Sequence, residues 1–210
     1  MDTDLTLESK KKKRIRLSPE VRRIQILDAA LIEFSSLGYT AASISKIAQR
    51  AGMSKANLYV HFKNKDEIFE TLLSHVLTPS KSDWLSINTG SNIEEVIDQF
   101  IDRTYDGLND HMISVIRLLI SESHRIPDLI QKWYKESVLP FKNDQFDLIS
   151  NLVDSGKIQK SPLTQDFSFN MAPILYAAVS IMFFNKEMSE QEVKRTKETH
   201  RKLLHLLIKK

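Results

Sequence analysis

Residues 43–65, SISKIAQRAGMSKANLYVHFKNK, read as two short helices joined by a tight glycine turn. Ile44, Ile47, Ala48 and Ala51 recur at helical spacing on one face, and Gly52 follows where a left-handed residue ends a helix and reverses the chain. Ser54 is placed to cap the second helix. In that helix Leu58 and Phe62, four residues apart, face inward, while Ala56, Asn57, Val60 and His61 fall on the opposite side. Two such helices make a helix-turn-helix, and the outward face of the second fits a major groove.

The flanking sequence supplies what this pair would pack against. Ser18-Pro19-Glu20 starts a helix with a capping residue and a proline at its first position, and Gly38 stops it. Ile24, Leu27, Leu31 and Phe34 are its expected inward stripe. Downstream, Asn64 with Glu67 makes a capping-box start for a helix carrying Ile68, Phe69, Leu72, Leu73 and Val76 toward Pro79.

Charge is unevenly placed along the chain. Between residues 10 and 65, thirteen Lys and Arg stand against Glu20, Asp28 and Glu33, a net of about +10, while the whole chain carries only +3. A polyanionic partner for this first part follows. The run KKKKRIR at residues 10–16 is the densest basic segment. IRLSPEVRR rather than an apolar stretch follows it, which excludes a secretory signal. It reads as a flexible arm in which Lys12, Lys13, Arg14 and Arg16 lie along phosphates or enter a minor groove, with a merely solvated tail as the alternative.

The stretch RIQILDAALIEFSSLGYTAASISKIAQRAGMSKANLYVHFKNKDEIF (residues 23–69) resembles the amino-terminal DNA-binding domain of TetR/AcrR-type transcriptional regulators. The resemblance rests on Ala29-Ala30 before Phe34, then Gly38-Tyr39, Ile47-Ala48, Ala51-Gly52, Ser54-Lys55, Leu58-Tyr59, Phe62 and Lys65, in order and in register. It covers about a quarter of the chain. It implies an all-α protein: an amino-terminal three-helix helix-turn-helix domain followed by a carboxy-terminal helical domain for ligand binding and dimerisation. The expected division is an arm at 1–17, the DNA-binding domain with its connecting helix at 18–78, and the effector and dimerisation domain at 79–210.

The same resemblance assigns roles. Ala56, Asn57 and Val60 approach base edges, with Asn57 suited to a bidentate contact with adenine and Ala56 and Val60 to thymine methyls. Lys55 adjoins them. Tyr59, His61 and Lys65 hold phosphates, with the hydroxyls and helix-start amides of Ser43 and Ser54 nearby. Core packing is the alternative for Tyr59, and a solvent-facing amide the alternative for Asn57. Ala56 and Val60 depart from the family's commoner glycine and aromatic or histidine.

Beyond residue 78 the pattern stays helical without a signature. A polar segment spans Pro79 to Ser91, and Ser91 with Glu94 starts a helix through Ile93, Ile97, Ile101 and Tyr105 to Gly107. Further helices are expected at Met112–Glu122, from Pro127 to Gly156 with a kink at Pro140, at Thr164–Asn185, and at Ser189–Lys209 from a Ser189/Glu192 box. The apolar run MAPILYAAVSIMFF at residues 171–184 falls short of the about 20 residues of a membrane span, so it reads as a buried helix covered on more than one side. By resemblance, the last two helices form a four-helix homodimer interface through Leu175, Val179, Met182, Leu203, Leu204 and Leu207. Tyr105, Arg117, Trp133, Tyr134, Asn170 and Tyr176, polar or aromatic groups within apolar helices, are the candidate lining of a pocket for a small amphipathic or apolar effector.

Enzyme chemistry finds no support. The five glycines form no phosphate cradle or nucleophile elbow, and the six histidines make no i, i+4 pair, so neither catalysis, nor a metal, nor a cofactor is expected. With no cysteine the chain needs no oxidising compartment, and a cytoplasmic location is expected. The reading is a homodimeric, ligand-released repressor on a pseudo-palindromic double-stranded DNA operator; the alternative is an activator, or a regulator controlled by a protein partner.

Overall fold

Gly38 sets the first corner of the fold. In the computed structural model, which describes residues 18–78 and 92–208, its φ of 75° interrupts α1 (Pro19–Ala41), and the last turn leaves in a new direction. A side chain at this φ is strained, which explains a glycine here. The Ser18 hydroxyl accepts the Val21 N–H at the start of α1. The chain then forms α2 (Ile44–Arg50), α3 (Lys55–His61) and α4 (Lys65–Leu77). Gly52, at φ 67°, makes the turn between α2 and α3.

The second part comprises α5 (Ile93–Asp106), α6 (Asp110–Glu122), α7 (Pro127–Trp133), α8 (Leu139–Asp154), the short α9 (Pro162–Gln165), α10 (Met171–Phe183) and α11 (Lys186–His205). Among the described residues no strand forms, and a single antiparallel bridge joins Ile158 to Ile208. None of these helices is long and apolar enough to cross a membrane. The architecture is all-α, as the sequence implied.

Two cores hold the molecule. The first gathers Ile26, Phe34, Ile47, Leu58, Phe62, Ile68, Phe69 and Leu72 from α1 to α4. It also takes Val115 and Leu118 from α6 and Trp133 from α7, so apolar packing crosses the boundary expected at residue 78. The second joins Ile97, Ile101 and Tyr105 of α5 to Ile149, Leu152, Ile174, Ala177, Leu204 and Leu207. A ladder of ion pairs, Arg201 to Asp98 and Asp102 and Lys197 to Asp102 and Asp106, ties α11 to α5 along the surface.

Several boundaries differ from the sequence reading. On α1 the inward row begins at Ile26, and Ile24 is exposed, because the first turns lie beyond the core. Asn92 caps α5 by accepting the Glu94 N–H; Ser91, the cap expected from the sequence, lies outside the described residues with the rest of the segment 79–91. Asn109 starts α6 ahead of Met112. Asn185 starts α11 by accepting the Met188 N–H, which leaves Ser189 inside the helix, donating to the Lys186 carbonyl. The stretch expected as one helix from Thr164 is α9, capped reciprocally by Ser161 and Thr164, then a tight turn at Phe167–Asn170, then α10. Pro140 does perturb its helix: the five residues before α8, Tyr134–Val138, widen into a π turn. A proline ring displaces the carbonyl four residues earlier, and one wider turn accommodates it.

Candidate nucleic-acid interface and effector cavity

The recognition surface follows from how α3 is fastened. Its Ser54 hydroxyl accepts the Asn57 N–H, and Leu58 and Phe62 are fully buried. That leaves Lys55, Ala56, Asn57, Tyr59 and Val60 exposed, with Val60 at 79%. An isolated valine so exposed has no packing role and is free to meet an apolar group such as a thymine methyl. Lys55 Nζ stands 6.0 Å from the Tyr59 ring centroid, which keeps both side chains on the outer face. His61 is half-buried, and its carbonyl accepts a hydrogen bond from Arg23, whose guanidinium lies 4.0 Å over the Phe62 ring. Ser43, exposed, caps α2 by accepting the Lys46 N–H. Of the predicted contact residues, those of α3 are thus exposed except His61, and Ser43 is exposed at the start of α2. Lys12, Lys13, Arg14 and Arg16 lie outside the described residues.

Lys65 has another task than the phosphate contact the sequence suggested. Its ammonium donates to the carbonyls of Tyr39, Thr40 and Ala42 at 2.7, 3.2 and 3.1 Å and lies 4.4 Å from the Tyr39 ring centroid. Carbonyls at a helix end lack helical partners, and a cation with three donors satisfies them. Burial holds its pKa below the ordinary lysine value. Tyr39 is fixed from other sides as well. Its hydroxyl donates to Asp66, its ring packs against Phe34 and Phe69, and its backbone N–H donates to the Glu122 carboxylate at 3.0 Å. Burial first, then the bond to Asp66, raises its hydroxyl pKa. Glu122 is itself buried and receives Arg125 at 2.8 Å.

A cavity of about 1570 Å³ opens between α4, α5, α6, α8 and α10. One face of α4, Thr71, Ser74, His75 and Thr78, forms part of its wall, with Phe100 and Arg103 from α5, Ile116 from α6, Phe141, Lys142 and Gln145 from α8, and Ile174 and Leu175 from α10. Two polar atoms on this wall, Gln145 Nε2 and Thr78 Oγ1, are buried without a hydrogen-bond partner.

None of the six residues predicted for the pocket lines this cavity. Tyr105 is buried in the second core, its hydroxyl 3.2 Å from His200 Nδ1, and burial pushes its pKa up to about 12. Trp133 belongs to the first core. Arg117 and Tyr134 are exposed, and Tyr176 is exposed and donates to Glu192 at 2.7 Å. Asn170 is buried and donates to the Phe167 carbonyl at the start of α10. Of the six, Tyr105 and Trp133 thus belong to the two cores, Asn170 stands at the start of α10, and Arg117, Tyr134 and Tyr176 face outward. The missed signal was the spacing of Thr71, Ser74, His75 and Thr78. These polar residues lie at helical intervals on a helix whose opposite face is core.

The predicted dimer residues also separate. Leu204 and Leu207 are buried within the chain's own second core and are not available to a partner. Val179 and Met182 are half-buried, and Leu203 and Leu175 are exposed, Leu175 also lining the cavity. Phe183, at 78%, and Leu206, at 73%, are the most exposed apolar residues of this region.

Residues 26–72 match the bacterial regulatory proteins of the tetR family. The chain is 24% identical over 176 residues to the uncharacterized HTH-type transcriptional regulator YerO of Bacillus subtilis (strain 168), covering 80% of this chain and 58% of that protein. It is 30% identical over 142 residues to the HTH-type transcriptional activator FasR of Mycolicibacterium smegmatis, covering 67% of this chain and 64% of FasR. The matches thus span about three-fifths of each relative. Native NalD, the secondary repressor of the MexAB-OprM multidrug efflux pump in Pseudomonas aeruginosa, shares the fold: the TM-score is 0.64 at 17% identity, over 91% of this chain and 99% of that one. With the helix-turn-helix geometry above, residues 26–72 form a DNA-binding domain of the tetR family of bacterial regulatory proteins.

Proposed function

We propose that this chain is a ligand-released repressor that binds a pseudo-palindromic operator as a homodimer, reading bases through Ala56, Asn57 and Val60. The observation that carries the reading is the position of α4. Its carboxy-terminal half walls the cavity, and its first residue, Lys65, clasps the corner between α1 and α2. A molecule that displaces the cavity face of α4 moves the recognition helix with it. The apolar residues left exposed on α10, on α11 and just past its end, Phe183, Leu203 and Leu206, support pairing with a second copy. A helix-turn-helix reads a half-site, so pairing supplies the second.

Selection from random duplexes with the full chain tests this. It is expected to return an inverted repeat whose half-site centres lie about 34 Å, or a multiple of it, apart. Recovery of an unpaired half-site overturns the dimeric reading. A second reading, that the chain activates transcription, is favoured by the likeness to the activator FasR. Transcription in vitro from a promoter carrying the selected site distinguishes the two by the sign of the effect.

A further inference from the structure

The lining of the cavity is mixed in a specific way. Its walls are mostly apolar, through residues such as Phe100, Ile116, Phe141 and Ile174, while two unpartnered polar atoms can donate: the Gln145 amide nitrogen, which only donates, and the Thr78 hydroxyl, which can also accept. Gln145 is 5% exposed, and its amide nitrogen has no acceptor. The Thr78 hydroxyl is likewise buried and unpartnered. Lys142, three residues before Gln145 on the same face of α8, lines the cavity, and no carboxylate of the described residues pairs with it. Arg103 on α5 adds a second cation. The acidic lining residue Asp166 is occupied by the Ser168 hydroxyl.

Buried donors without acceptors are rare in folded proteins, and their cost is removed by a group that accepts. An amine ligand would set its donors against Gln145 Nε2 and its charge against Lys142, and a hydrocarbon would leave Gln145 unpaired. The volume exceeds the about 300–1,000 Å³ of ordinary pockets, which favours a long or branched molecule. We infer that the cavity takes an apolar chain ending in a carboxylate, held by Lys142 and the Gln145 amide with its chain along the apolar wall. This rests on the cavity being the effector site. Charge-assisted bonds at a partly dehydrated headgroup then separate acids from neutral analogues.

Calorimetric titration of the full chain with dodecanoate, methyl dodecanoate and dodecylammonium, each below its micellar concentration, tests the assignment. Dodecanoate is expected to bind about tenfold to a hundredfold more tightly than the ester, and dodecylammonium most weakly. Lys142→Met and Gln145→Leu are each expected to weaken dodecanoate at least about tenfold while leaving the ester unchanged, and Lys142→Arg to retain most of the affinity. Ester binding reports an intact cavity in each variant, and the headgroup series on the unaltered chain decides the matter even where a variant misfolds. Equal binding of acid and ester, indifferent to Lys142→Met, overturns the carboxylate and leaves the effector site standing. Binding of none of the three overturns both.

Discussion

The Glu122 carboxylate at the end of α6 accepts the backbone N–H of Tyr39, 83 residues earlier, at 3.0 Å. It thereby joins α6 of the carboxy-terminal part to the bend that precedes α2 and α3. Glu122→Ala leaves that buried N–H without an acceptor and is expected to cost about 1–3 kcal/mol, read by urea unfolding. DNA affinity is expected to fall with it. An unchanged denaturation midpoint would show the bond to be dispensable.

Lys65→Met is expected to destabilise the amino-terminal core by about 1–3 kcal/mol, since three carbonyls lose their donor. Operator affinity should drop through this loosening, with the slope of log K against log salt unchanged. A slope smaller by about 1 would instead place the ammonium on a phosphate.

Leu204 and Phe183 should behave in opposite ways. Leu204→Glu puts a charge into the second core and is expected to cost on the order of 4 kcal/mol or more, unfolding the carboxy-terminal helices before any question of assembly arises. Phe183→Glu lies at the surface and should keep the helical circular dichroism of the parent while sedimenting as a monomer. A folded, fully dimeric Phe183→Glu chain moves the interface away from the end of α10.

Acid should weaken the second core through His200. Burial lowers its pKa from 6.5 to about 4, so the folded chain holds it neutral where the unfolded chain protonates it. More protons bind the unfolded state between those values, and stability therefore falls as pH drops from about 6.5 toward 4, by at most about 1.4 kcal/mol per pH unit. Asp98 is held below the usual carboxylate range by its bonds to His205 and Arg201, and Asp102 by Lys197 and Arg201, so their contribution is lost only at lower pH. His200→Gln should flatten the decline in unfolding free energy between pH 6.5 and 5. An equal decline in both proteins assigns it to other groups.

The recognition domain was legible because its signals are local. Gly38, Gly52, Ser18, Ser54 and Asn64 each act on backbone within a few residues, and the structure uses them as the sequence indicated. The carboxy-terminal half resisted because its decisive contacts are distant. Nothing beside Leu204 reveals that α5 and α10 cover it, and nothing beside Tyr105 reveals His200, 95 positions on. Apolar periodicity says that a face is buried and is silent on what buries it. Lys65 shows the same limit: a lysine near a DNA-binding helix suggests phosphate until the carbonyls of α1 are seen around it.

Gly38 also bears on how such regulators recombine. A Cβ there would stand 3.0 Å from Glu122 Oε1, on a backbone already unfavourable for any side chain. Lys132 grips Glu70, and Ser137 meets Ser74, across the same seam. A chimera spliced at residue 78 would transplant α1 to α4 without the acceptor for Tyr39 and without Val115, Leu118 and Trp133, exposing apolar surface that the new host is not shaped to cover. To graft this DNA specificity onto a foreign sensor, α6 and α7 must travel with the recognition helix.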